Sequence, residues 1–318
     1  MSTGAAPDFI YGGPSKSGSS WVYEALKEHP QIHVPDLKPV NYFNTKYHQG
    51  SDWYRSVFAE ADPDQIVGES SPGYINNESA PKRVAEDFPD VKVMFTLRNP
   101  IDRAFSQWWH DTQSGWLNFD FDDIFFVDQA YEVFIRPGYY VNHVERWQTA
   151  LSEEQVEIFL FDDFVEDNAA FIESIYEFIG VDPGYQPDII DERVNQARYR
   201  GPALYDEIKG WFVHDAPIWL RSAVSPVYPV LRSLFENKSA YEEGIDENIR
   251  KELEVEFASP TKRLSEMIDR DLNHWFDHID LDAGDYRSQV TIPADHKSKY
   301  RHWTTDRMVT KNYQRRRN

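Results

Sequence analysis

At 318 residues, with 41% hydrophobic and 15% aromatic side chains, the chain can bury one large α/β core or two modest ones, which excludes a disordered acidic polymer. It has no cysteine, which excludes a disulfide framework and any thiolate metal site. Its net charge of −21 disfavours nucleic acid as a partner, because the phosphate backbone repels an acidic body.

The first residues carry no charged segment ahead of an apolar one, and no run approaches about eighteen apolar residues. A soluble, cytoplasmic protein is expected. Phe9–Tyr11 is the first strand candidate, followed by Ile32–Val34, Ile66–Gly68, Val91–Leu97 and Val156–Phe161. Between and after them the helical period predicts Ser19–Glu28, Ser79–Phe88, Ile101–Thr112, Tyr139–Leu151 and Asn168–Ile179. This alternation predicts βαβ units and a mostly parallel sheet. VKVMFTL (91–97) reads as a central strand, because it is nearly continuous apolar with no Gly or Pro. Asn99-Pro100 follows it, and proline there suits a first helical turn.

Past Gly180 the pattern breaks into VDPGYQPD, so residues 181 to about 200 read as a long connection. Ala216 to Phe235 is apolar but holds three prolines and two arginines. It reads as broken helices on the domain, with a membrane-surface role as the alternative. Ile249–Ile268 is a further amphipathic helix. From His296 onward eight Lys or Arg face one acid, Asp306, so a tail of net +7 hangs on a body of net −28. Disorder is the default reading of that tail, and docking to an acidic membrane surface is the alternative. The expected organisation is one domain over 1–280 and a basic tail over 281–318. Arg outnumbers Lys 20 to 13 and acids occur in every segment, a balance that fits a high-salt proteome or an ordinary acidic protein.

The chemistry concentrates after the first strand, in YGGPSKSGSSW (11–21). An ATP-binding loop needs lysine directly after its last glycine, but here Gly18 is followed by Ser19 and Ser20 while Lys16 precedes it. Gly12, Gly13 and Gly18 still let backbone approach an anion, and Ser19 and Ser20 open a helix whose unpaired N–H groups favour negative charge. No carboxylate follows a strand end in the position that would hold Mg²⁺, and no metal is expected.

The loop GGPSKSGSSW resembles the 5′-phosphosulfate-binding loop of the sulfotransferases that use 3′-phosphoadenosine 5′-phosphosulfate (PAPS), usually written PKSGTTW. LRNPIDRAFSQW (97–108) is similar to the same family's 3′-phosphate segment, with GESSPGY (68–74), PGYYVNHVERW (137–147), FLFDDFVED (159–167) and DLNHW (271–275) as further likenesses. The resemblance implies PAPS as donor and a fold like that of P-loop NTPases: a central parallel sheet flanked by helices, with C-terminal helical additions. It implies donor contacts from Pro14, Ser15, Lys16, Ser17, Gly18, Ser19, Ser20, Trp21, Arg98 and Ser106. Arg198 and Arg200, in NQARYRG (195–201), would belong to a late loop closing over the nucleotide. Many relatives carry a KEPHFF-like segment whose glutamate is the usual base. Here it reads KPVNYF (38–43), which keeps Lys38 and the aromatic pair but puts Pro39 at the glutamate and Asn41 at the histidine. Glu69 and His110 are the candidate bases, His110 sharing a helix face with Ser106. Asp36 and His48 have no positional support.

The implied reaction is in-line sulfuryl transfer to a hydroxyl of a carbohydrate or glycolipid. The competing readings are a small-molecule kinase, which would need Mg²⁺, and a non-catalytic member that binds nucleotide or glycan without turnover.

Overall fold

Five short runs become one parallel sheet in the computed structural model, which describes residues 4–113, 117, 119–125, 127–191 and 244–292. Strands β1 (Phe9–Tyr11), β2 (Ile32–His33), β3 (Ile66–Ser70), β4 (Lys92–Leu97) and β5 (Val156–Leu160) lie in the order β2-β3-β1-β4-β5. Tyr11 is level with Ser70 on one side and Met94 on the other, while Leu97 is level with Leu160. From Val93 to Leu97 every residue of β4 is buried, as its continuous apolar sequence requires.

Helices α1 (Ser19–Glu28), α2 (Ser51–Ser56), α3 (Ala80–Asp87), α4 (Pro100–Gln113), α5 (Tyr140–Ala150), α6 (Phe161–Glu166), α7 (Asn168–Ile179) and α8 (Glu247–Met267) follow in chain order. Because side chains alternate along a strand, Met94 and Phe95 serve different layers. Met94 joins Phe9, Tyr11, Trp21, Leu26 and Ile175 in a core under α1 and α7. The Tyr176 hydroxyl donates to Ala25 O at 3.0 Å and ties those helices together. Phe95 instead meets the Trp147 ring of α5 at 5.3 Å. That indole is wholly buried and donates to Ile75 O at 3.3 Å, so Trp147→Ala would cost about 3–5 kcal/mol.

Local signals set the helix ends. The Asp167 carboxylate accepts from Ala169 and Ala170 N–H at 3.1 and 3.0 Å and opens α7, which Gly180 closes at φ 95°. The expected strand over 156–161 stops at Leu160, because Phe161 opens α6. α2 and a turn of π-helix over Tyr42–Lys46 were not expected, and α8 carries Pro260 inside. Among the described residues, no helix is long and apolar enough to cross a membrane.

The chain divides into two compact units. One comprises Met1–Arg103, Arg136–Val194 and Glu254–Val290 and contains the sheet. The other comprises Ala104–Ile135, Asn195–Leu253 and Thr291–Asn318; in it Phe105 packs on Trp108 and edge-on to Phe121, at 5.5 and 5.1 Å. Arg198, Arg200, the apolar stretch over 216–235 and the basic tail from His296 lie outside the described residues.

Candidate functional site

The sheet order changes direction at β1, and ligands of open α/β sheets bind at the carboxyl end beside such a point. The glycine-rich loop leaves β1 there. Gly12 N–H donates to Met94 O at 2.9 Å and Gly13 O accepts from Thr96 N–H at 2.9 Å, so the loop's root stays zipped to β4. Gly13 stands at φ 101°, where an added Cβ would come within 2.1 Å of Pro72 O, so only glycine fits.

Past Pro14, which is buried, Lys16 at φ 72° and Gly18 at φ 84° both take the left-handed conformation, which turns successive N–H groups to one side. None of the N–H groups of Ser17, Gly18, Ser19 and Ser20 finds a backbone acceptor among the described residues. They stand at the N-terminus of the ten-residue α1. Ser15, Lys16, Gly18, Ser19 and Ser20 are partly exposed, while Ser17 faces inward with its hydroxyl unpartnered. The loop therefore offers an anion backbone donors, one helix dipole and a lysine. Trp21 belongs to the core: its Nε1 donates to Ile189 O at 3.1 Å and its ring meets Phe164 at 4.8 Å, so it supports the loop by packing.

Arg98 stands directly after β4. Its NH1 donates to Lys16 O at 3.1 Å and its guanidinium lies 4.8 Å over the Phe161 ring. It thus holds the left-handed Lys16 peptide while keeping further donors for a ligand. Asn99 Oδ1 accepts from Ile101 N–H at 2.9 Å and opens α4, with Pro100 at its first position. Ser106 lies further along α4, half-buried, and His110 is exposed one turn later. Arg103, on the first turn, is wholly buried, and desolvation lowers its pKa.

From the segment after β2, Lys38 Nζ donates to Ser19 O at the start of α1 at 2.8 Å and lies 4.2 Å over the Tyr23 ring. Burial brings this amine down to about 8. Glu69, near the end of β3, has no exposed surface. Its carboxylate accepts from the Tyr54 hydroxyl at 2.9 Å, the Tyr74 hydroxyl at 2.8 Å and Ser71 Oγ at 2.5 Å. Burial raises its pKa to about 7, with those hydrogen bonds and the charge of Lys46 opposing.

Sequence reasoning missed Phe161, Tyr54 and Tyr74. Phe161 reads as the end of a strand, and the tyrosines meet Glu69 only through the tertiary fold.

A sulfotransferase domain family matches residues 6–202. Among similar curated proteins, human bifunctional heparan sulfate N-deacetylase/N-sulfotransferase 2 is 31% identical over 197 residues, 56% of this chain. The mouse enzyme of that series numbered 4 is 31% identical over 200 residues, again 56% of this chain. The matched regions span only 22% and 23% of those relatives' lengths. Among solved structures, a sulfotransferase from Alicyclobacillus acidocaldarius has a TM-score of 0.63 at 22% identity, covering 85% of this chain and 99% of its own, a likeness of fold.

Proposed function

The chain belongs to the sulfotransferase family, and on that premise we propose that it moves the sulfuryl group of PAPS to a hydroxyl or amine of a carbohydrate or glycolipid. The observation that carries this reading is the loop over 12–20, which includes Lys16, is held by Arg98, and has N–H groups at the start of α1 that find no backbone acceptor among the described residues. Bound there, the donor supplies a sulfuryl group on a phosphate leaving group. Lys16 and the N–H groups of 17–20 neutralise the charge that grows on that phosphate. Arg98, with donors in a fixed fork, suits a terminal phosphate monoester. Lys38 has a lone pair for the acceptor's proton once its amine is neutral, and its depressed pKa makes that state accessible near pH 8. The carbohydrate class is supported by the similar heparan sulfate N-deacetylase/N-sulfotransferases.

The test is calorimetric binding of 3′-phosphoadenosine 5′-phosphate, without Mg²⁺, to wild type, Lys16→Ala and Arg98→Ala, followed by transfer of labelled sulfate from PAPS to de-N-sulfated heparan sulfate. Expected are micromolar binding, a loss of about tenfold or more in Arg98→Ala, and label in the glycan. ATP binding in Mg²⁺ with no binding of the bisphosphate would overturn the donor assignment. Turnover should rise with pH through about 8 and lose that rise in Lys38→Met; a profile unchanged by the substitution would remove Lys38 as proton acceptor.

A further inference from the structure

Three hydroxyls donate to the buried Glu69 carboxylate, and the side chains that bear them each engage one of three consecutive residues elsewhere in the chain. Ser71 Oγ accepts from Asn41 N–H at 3.0 Å. The Tyr74 hydroxyl accepts from Phe43 N–H at 3.2 Å. The Tyr54 ring stacks on Tyr42 with centroids 4.4 Å apart and planes within 10°. One carboxylate therefore governs Asn41, Tyr42 and Phe43 together. The same segment starts at Lys38, pinned to Ser19 O, and holds Asn41 at φ 59°, a left-handed conformation that asparagine adopts more readily than most residues.

From this geometry we infer that Glu69 is a positioning residue: through Ser71, Tyr74 and Tyr54 it fixes the segment 38–46 on the acceptor side, without touching acceptor or donor itself. The physical basis is directional. An ionised carboxylate can only accept, so all three hydroxyls must point their hydrogens at it. That leaves the lone pairs of Ser71 and Tyr74 aimed at the N–H groups of Asn41 and Phe43. A protonated or amide side chain at 69 must itself donate. Where that donation falls on Ser71 or Tyr74, the hydroxyl's own hydrogen loses its acceptor and must swing to another direction, which weakens the anchor on Asn41 or Phe43. The groups facing Glu69 are these three hydroxyls and, as the charged neighbour, Lys46, whose amine favours the ionised form.

The inference rests on the reading of 38–46 as the acceptor side, so the experiment includes a readout that needs no acceptor. Glu69→Gln, Ser71→Ala and Tyr74→Phe are compared with wild type in three measurements. The first is calorimetric binding of 3′-phosphoadenosine 5′-phosphate, expected within about twofold of wild type in all variants. The second is the rate at which acetic anhydride modifies Lys38, followed by peptide mass spectrometry and expected to rise about tenfold as the segment loosens, since one lost anchor is a population shift of that order. The third is the kinetics with de-N-sulfated heparan sulfate, where KM should rise about tenfold while kcat stays within about threefold. In wild type the KM should rise as pH falls through about 7, and that dependence should vanish in Glu69→Gln.

Unchanged Lys38 reactivity in Glu69→Gln, or loss of bisphosphate binding in all three variants, would overturn the positioning role. A fall in kcat of more than a hundredfold at unchanged KM would make Glu69 the base instead. If the glycan is not turned over by wild type while Lys38 reactivity still responds, the acceptor class fails and the positioning role stands.

Discussion

The two flanks of α1 are built on opposite plans. On the donor flank, the N–H groups of residues 17–20 find no backbone acceptor and the Ser17 hydroxyl no partner among the described residues, and the loop is held mainly at its root on β4 and by Arg98. On the acceptor flank the Glu69 carboxylate and the hydroxyls of Tyr54, Ser71 and Tyr74 are all hydrogen-bonded, although the neighbouring Ser70 Oγ is buried without a partner among the described residues, and aromatic rings of Tyr42, Phe43, Tyr54 and Tyr74 pack edge to face and face to face about them. A folded chain leaves polar groups unpaired only at a cost, and on the proposed function an anion bound at this flank would offset that cost. The satisfied flank is a finished scaffold, which suits a surface that must present a few groups in fixed geometry.

The largest expected effect comes from breaking the donor flank. In Lys16→Ala the growing charge on the leaving phosphate loses the loop's lysine while the backbone donors and Arg98 stay. Turnover should fall about 10²–10³-fold, on the order of 3–4 kcal/mol in the barrier, with thermal stability near that of wild type. A large loss of stability with modest loss of turnover would mean that the lysine belongs to the scaffold. The comparison between flanks would then fail.

The acceptor flank should respond to pH instead. Glu69 has no exposed surface and titrates near 7 in the fold against 4.5 in the unfolded chain. Between those values the folded state holds a proton that the unfolded state has released, so stability should fall as pH rises from about 4.5 through about 7. The full effect of such a shift is on the order of 3 kcal/mol, and it is complete above the folded value. Glu69→Gln removes the titration, so the variant's stability should be flatter than wild type across that window. Denaturant melts at pH 5 and pH 8 would read the difference, and equal slopes for both proteins would show that the carboxylate is not held as described.

Sequence made the sheet and the donor flank legible because their signals are local. Ser19–Glu28 and Asn168–Ile179 match to the residue, since Gly18, Asp167 and Gly180 mark ends that the chain itself enforces. β4 announces its burial on both faces by a nearly continuous apolar run after Lys92, with Thr96 as the polar exception. The acceptor flank was legible only as a departure, with Pro39 where relatives carry glutamate. What replaces the missing order is a contact set whose members lie 2, 5 and 15 residues from Glu69. α2, which supplies Tyr54, is six residues long and too short to show a helical period. Phe161 escaped for a related reason: an apolar residue at the end of a strand run reads as strand, and nothing nearby says that its ring will lie under a guanidinium.

Two buried serines give the finest test of the contrast. Ser17 and Ser71 are both fully enclosed, yet Ser17 Oγ has no partner whereas Ser71 Oγ donates to Glu69 and accepts from Asn41. Removing a hydroxyl that is already unsatisfied releases a desolvation penalty, so Ser17→Ala should leave the stability of the ligand-free protein unchanged or raise it slightly. Removing one that is doubly used strands a buried carboxylate oxygen and a backbone N–H, so Ser71→Ala should cost about 1–3 kcal/mol. Chemical denaturation of the two variants side by side measures both. Equal losses would mean that the donor loop is as finished as the acceptor scaffold, and that its unpaired groups are not waiting for an anion.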